Sequence, residues 1–129
     1  MGKKVFLICP VRDADKELKK RMNAYVGLLE ARGYKVHFPH RDTNQSDPTG
    51  GFIICKTNFN AILEADEVHV WYDEASCGSK FDLGCLFALW MSGIKKKIVI
   101  VNELEAEAMD DPPKNTFFKM LREFRRQCN

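Results

Sequence analysis

Apolar positions along the chain fall into two alternating kinds of run. Residues 3–9 are almost continuously apolar and rich in strand formers, which suits a central parallel strand buried on both faces. Pro10 closes it. Leu18, Met22, Tyr25, Val26 and Leu29 then recur at helical spacing, predicting a helix that Asp13 or Asp15 caps and Gly33 ends. Residues 34–38 alternate as a second strand, closed by Pro39. Residues 40–51 read as a polar loop of the length that usually carries function. Residues 52–64 predict a second helix with Ile53, Ile54, Phe59, Ile62 and Leu63 facing inward, and residues 66–72 a third strand. Residues 81–91 predict a helix that is apolar nearly all round. Such a helix buries more than one face, and the second face points to a subunit contact. Residues 97–101 give a fourth strand and 103–113 an acidic connection. Asn115 or Thr116 then caps a last amphipathic helix with Phe117, Phe118, Leu121 and Phe124 turned in.

Strands and helices alternate without repeats or an internal linker. That pattern predicts an α/β chain of one domain, residues 1–129, folded as a three-layer α/β/α sandwich around a parallel sheet. Ligands of such sheets sit beyond the carboxyl ends of the strands. Here those ends present residues 9–12, 38–41, 73–78 and 102–103.

Composition changes this picture little. The chain is 45% hydrophobic and 29% charged, and its net charge of +2 is too small to argue for a nucleic acid polymer. Lys114, Lys119, Arg122, Arg125 and Arg126 gather late in the chain, where a solvated helix face accounts for them. The five cysteines show no C-x-x-C spacing, and no run approaches the ~20 apolar residues of a membrane span. A polar helix follows residues 5–11 directly, unlike a secretory leader. The expected setting is the reducing cytoplasm, without a membrane partner.

Chemistry concentrates in one segment, Ser76-Cys77-Gly78-Ser79-Lys80-Phe81-Asp82-Leu83-Gly84, between a strand and a helix. Its small residues admit a ligand closely and bring backbone N–H groups toward it, and Asp82 stands about one helical turn in. A sugar or phosphate site and a loop with a capping serine fit equally. Gly50-Gly51 and Gly78-Ser79 are both anion cradles on this reading, with Arg12 as charge partner. No P-loop or dinucleotide fingerprint is present. His37 and His40 lack further ligands for a metal, and His69 reads as a packed strand residue. Cys9 and Cys77 stand at the functional edge with no histidine to activate them. Asp82 is thus the main candidate nucleophile, for attack on an anomeric carbon. Asp66 reads as structural, and Asp73 and Glu74 as a solvated turn.

Three stretches resemble the nucleoside 2-deoxyribosyltransferase family, in particular its deoxynucleoside 5′-monophosphate N-glycosidase branch. They are residues 5–12 (VFLICPVR), 58–66 (NFNAILEAD) and 76–84 (SCGSKFDLG), the last being the most specific. The resemblance implies a flavodoxin-like sandwich, a homodimer or higher homo-oligomer, and a transferase or hydrolase acting on the N-glycosidic bond of a small nucleoside or nucleotide. It implies neither metal nor cofactor. The family's nucleophilic Glu falls on Asp82, one methylene shorter, and a misplacement of about 1 Å can cost roughly 100-fold. Its second acid falls on Asn58, which cannot donate a proton as an acid. Its strand tyrosine falls on Phe6. Where the transferases tend to carry an Asp for the sugar 5′-hydroxyl, this chain has Ser76, as the monophosphate hydrolases do.

The resemblance therefore assigns Asp82 and Asn58 to catalysis and Phe6, Cys9, Pro10, Arg12, Ser76, Gly78 and Ser79 to the substrate. Phe6, Phe38 or Trp71 are candidates for stacking on the base, with core packing as the default for each. The alternatives are a nucleotide-binding module that has kept the pocket without catalysis, and a structural oligomer.

Overall fold

The structure, a computed structural model, describes residues 2–12, 14–109 and 117–129. Four parallel strands, β1 (Lys4–Ile8), β2 (Lys35–His37), β3 (Glu67–Val70) and β4 (Lys97–Ile100), form one sheet in the order β2-β1-β3-β4. β1 and β3 are central, with Val5 opposite Glu67 and Ile8 opposite Val70. Apart from Lys4 they are buried throughout; the apolar run of β1 requires it, whereas β3 buries Glu67 and His69 as a hydrogen-bonded pair, 3.0 Å apart.

Alternation along the strands divides the core in two. On one face Val5, Leu7, Val36 and Trp71 pack against Met22, Val26 and Leu29 of α1 (Lys16–Ala31). On the other, Phe6, Ile8, Val68, Val70, Ile98 and Ile100 lie under three helices. These are α3 (Phe52–Glu64) through Ile62, α4 (Cys77–Met91) through Leu83, Leu86 and Leu89, and α6 (Phe117–Cys128) through Phe118, Leu121 and Phe124. The result is the expected three-layer α/β/α arrangement, with one helix against three.

The helix ends follow their chemistry. Asp15 Oδ1 accepts the Leu18 N–H at 2.8 Å at the start of α1, and Gly33, at φ 93°, turns the chain out of it. Asp13, Lys114, Asn115 and Thr116 lie outside the described residues. The exposed side of α6 carries Arg122, Arg125 and Arg126, paired with Glu103, Glu107 and Glu123 as a solvated face.

Four expectations need correction. Residues 40–51 are not loop throughout, because α2 (Pro39–Asp42) opens them; Pro39 suits the first helical turn and Asp42 Oδ2 accepts the Phe38 N–H at 2.8 Å. The acidic connection forms a helix, α5 (Glu103–Ala108), held by Arg21–Glu105 at 2.8 Å and Arg125–Glu103 at 2.6 Å. α4 starts at Cys77, well before Phe81, because Ser76 caps it. On α3, Ile53 and Leu63 are exposed at 48% and 41%, while Asn58 and Ile62 are its buried positions. A helix flanking a sheet buries one narrow stripe, and here a polar residue takes the upper end of it.

Candidate functional site

The chain leaves β1 and β3, which lie side by side, toward opposite faces of the sheet: α1 covers one and α4 the other. A crevice opens between diverging connections of this kind, beyond the carboxyl ends of the strands. A cavity of about 330 Å³ fills it, lined by Cys9 and Arg12 after β1, Gln45, Gly50 and Gly51 before α3, Ile54, Cys55 and Asn58 on α3, and Ser76, Cys77, Gly78 and Asp82 on α4. A wider groove of about 570 Å³ runs along α6, but its borders include the arginines already paired on that helix. Asn129, which also lines it, bonds to Ile98 at the start of β4, the end opposite the strands' carboxyl ends.

Asp82 lies in the second turn of α4 and is 7% exposed. Among the described residues no side chain hydrogen-bonds to its carboxyl and no cation pairs with it. Burial therefore acts unopposed and pushes its pKa up to about 7. Every deeply buried side-chain oxygen or nitrogen among the described residues has a partner, so the unpartnered Asp82 oxygens must reach the cavity. The thiol of Cys9 is held protonated, chiefly by its own burial and further by the Asp82 charge, which makes it a poor nucleophile.

The two glycine-rich helix starts differ. Gly50 and Gly51 adopt φ 74° and 111° to lead into α3, but that helix is capped by its own loop. Thr49 Oγ1 accepts the Ile53 N–H at 3.2 Å and Asp47 Oδ2 the Ile54 N–H at 3.0 Å. At α4, Ser76 Oγ accepts the Ser79 N–H at 3.2 Å and donates to Ser79 Oγ at 2.8 Å. The first N–H groups, on Cys77 and Gly78, have no intrahelical acceptor and border the cavity. The capping serine and the anion site are thus the same turn. Arg12 stands exposed at the cavity mouth and pairs with no described carboxylate.

No family model and no curated protein matches the chain. Among solved structures, a 2-deoxyribosyltransferase from the psychrotolerant bacterium Bacillus psychrosaccharolyticus superposes with a TM-score of 0.56 at 20% identity, over 74% of this chain and 70% of that one. The chain has the fold of a 2-deoxyribosyltransferase. A CMP N-glycosidase of Clostridium botulinum gives a TM-score of 0.49 at 28% identity, over 76% of this chain and 67% of that one.

Within this deoxyribosyltransferase fold, six of the nine residues singled out in the sequence line the cavity: Asp82, Asn58, Cys9, Arg12, Ser76 and Gly78. Ser79 is buried behind the Ser76 cap, and Pro10 lies beneath its loop with its carbonyl 3.1 Å from His40 Nε2. Phe6 is fully buried and stacks on His37 at 5.2 Å in the core, so it does not line the cavity. Phe38 and Trp71 are likewise covered by helices. Gln45, Ile54 and Cys55 were not anticipated. Ile54 stands one helical turn from Asn58 and shares its face, a spacing that could have revealed it.

Asn58 is 6% exposed, and its Oδ1 accepts the Thr43 hydroxyl at 2.7 Å. His37 Nε2 lies 2.8 Å from the same Thr43 oxygen. Among the described residues no group of three His, Cys, Asp or Glu is arranged to hold a metal, and none of the helices is long and apolar enough to cross a membrane. The five cysteines are free.

Proposed function

We propose that the protein is a nucleoside 2-deoxyribosyltransferase-like enzyme that cleaves or exchanges an N-glycosidic bond, with Asp82 as nucleophile and a 5′-monophosphate as substrate. One observation carries this reading: a buried carboxylate without a partner faces a cavity at the strand-order reversal. As a carboxylate, Asp82 attacks the anomeric carbon, and the C–N bond breaks with its electron pair passing to the base nitrogen, which takes a proton from water. Water then attacks the anomeric carbon of the Asp82 ester, releases the sugar and restores the carboxylate; a second base in place of that water gives transfer. Arg12, the N–H groups of Cys77 and Gly78 and the neutral Ser76 suit a phosphate, which an Asp at position 76 would repel. The exposed Phe81, Phe87 and Met91 of α4 support a homo-oligomer, testable by analytical ultracentrifugation.

The test is a panel of nucleoside monophosphates, deoxynucleosides and NAD, with free base followed by chromatography. Base release that disappears in Asp82→Asn supports the enzyme. Calorimetry in which free nucleosides bind more tightly than their monophosphates would sink the phosphate assignment. Asn58 favours a second reading, a nucleotide-binding module, because an amide cannot protonate a departing base. Binding without turnover across the panel would support that reading.

A further inference from the structure

The hydrogen-bond chain behind Asn58 has a direction. Thr43 is 4% exposed and its hydroxyl carries one proton, which goes to Asn58 Oδ1. The 2.8 Å contact with His37 must then be filled by a proton on Nε2, donated to Thr43 Oγ1. With Oδ1 occupied, the amide NH₂ has no partner among the described residues. It is not a sealed, unsatisfied group either, so it meets solvent, and the opening beside it is the cavity that Asp82 faces. His37 is itself held by its stack on Phe6, 15° from parallel.

We propose that His37 and Thr43 are positioning residues that lock the Asn58 amide as a hydrogen-bond donor to the ligand's base, so that the site selects bases carrying an acceptor beside the glycosidic nitrogen. This rests on the nucleotide reading above. With Asp82 at the anomeric carbon, the neighbouring base atoms are the glycosidic nitrogen and its flanks, where pyrimidines carry O2 and purines N3. Negative charge gathers on those acceptors as the C–N bond breaks. A fixed neutral donor there stabilises the departing base without transferring a proton, which suits an amide at this position. The expected selectivity for the acceptor is on the order of tenfold.

Two measurements test it. The first needs no ligand: ¹⁵N NMR of histidine-labelled protein at about pH 8 should find neutral His37 protonated on Nε2. Protonation on Nδ1 would mean that the chain runs the other way, with Asn58 presenting its oxygen, and would overturn the proposal. The second compares deoxyadenosine monophosphate with its 3-deaza analogue, which has C–H at that acceptor. Wild type should prefer the former by on the order of tenfold, more in kcat than in KM. Thr43→Val should shrink the preference to less than about threefold, and Thr43→Ser should restore it. If Thr43→Val does not fold, His37→Phe takes its place, keeping the stack on Phe6 and removing the donor. Equal handling of the two compounds by wild type, or an unchanged preference in the variant, refutes the proposal alone. If neither compound releases base, the same ratio is taken from calorimetric Kd values, and binding of neither refutes the proposal; the enzymatic reading falls only if no member of the panel above releases base.

Discussion

Two acids are buried against the sheet, on opposite faces, and are treated in opposite ways. Glu67 opens β3 on the α1 side, 5% exposed, with His69 Nε2 at 3.0 Å and Lys3 Nζ at 3.5 Å. Tyr25 completes the chain through its hydroxyl, 2.6 Å from His69 Nδ1. Burial is the largest single influence on Glu67 and raises its pKa, yet the hydrogen bond and charge of His69, with Lys97 and Lys3, outweigh it and hold the carboxyl below its ordinary value. Asp82 is about as buried, has no such company, and is pushed up to about 7. A satisfied network stabilises a fold; a carboxylate left open to a cavity is available to a ligand.

Substitutions can break or sharpen this contrast. Asp82→Asn should lower kcat for base release by at least about a thousandfold, whereas Glu67→Gln should leave kcat unchanged. Glu67→Ala should cost about 3 kcal/mol in denaturant unfolding, since it strands buried His69 beside an empty site. Asp82→Asn should do the reverse. Because the folded pKa of Asp82 lies above its unfolded value, its protonated form favours folding, and wild-type stability declines as pH rises from about 4 toward 7. The thermal-unfolding advantage of Asp82→Asn should therefore widen from about pH 5 to pH 8, reaching on the order of 2 kcal/mol. The smallest expected effect is Asn58→Asp, which supplies an acid and should raise kcat by about tenfold, adding a falling limb at high pH.

The layers and the switch point were legible because the central strand leaves an unbroken apolar run, residues 5–9, and because caps such as Asp15 have local chemistry. α2 and α5 were not, since a four-residue turn and a glutamate-rich helix carry too few apolar positions to show a period. The inward face of α3 was misread because Ile53 and Leu63 are apolar yet exposed, while the buried Asn58 is polar. Motif likeness located the carboxylate at 82 and the amide at 58. Thr43 escaped notice and His37 was weighed only as a metal ligand, because both act through a neighbour, and the departure from the family's tyrosine at Phe6 concerns a ring that packs in the core.

The central place of β1 bears on how the chain is made. Its backbone meets β3 at a point where Lys4 N–H bonds to Asp66, 62 residues further along. A nascent chain leaving the ribosome can join β1 to β2 early, but the other edge of its most apolar strand stays open until β3 emerges. Slowing synthesis between residues 38 and 70 should therefore prolong exposure of that edge and increase dependence on chaperones.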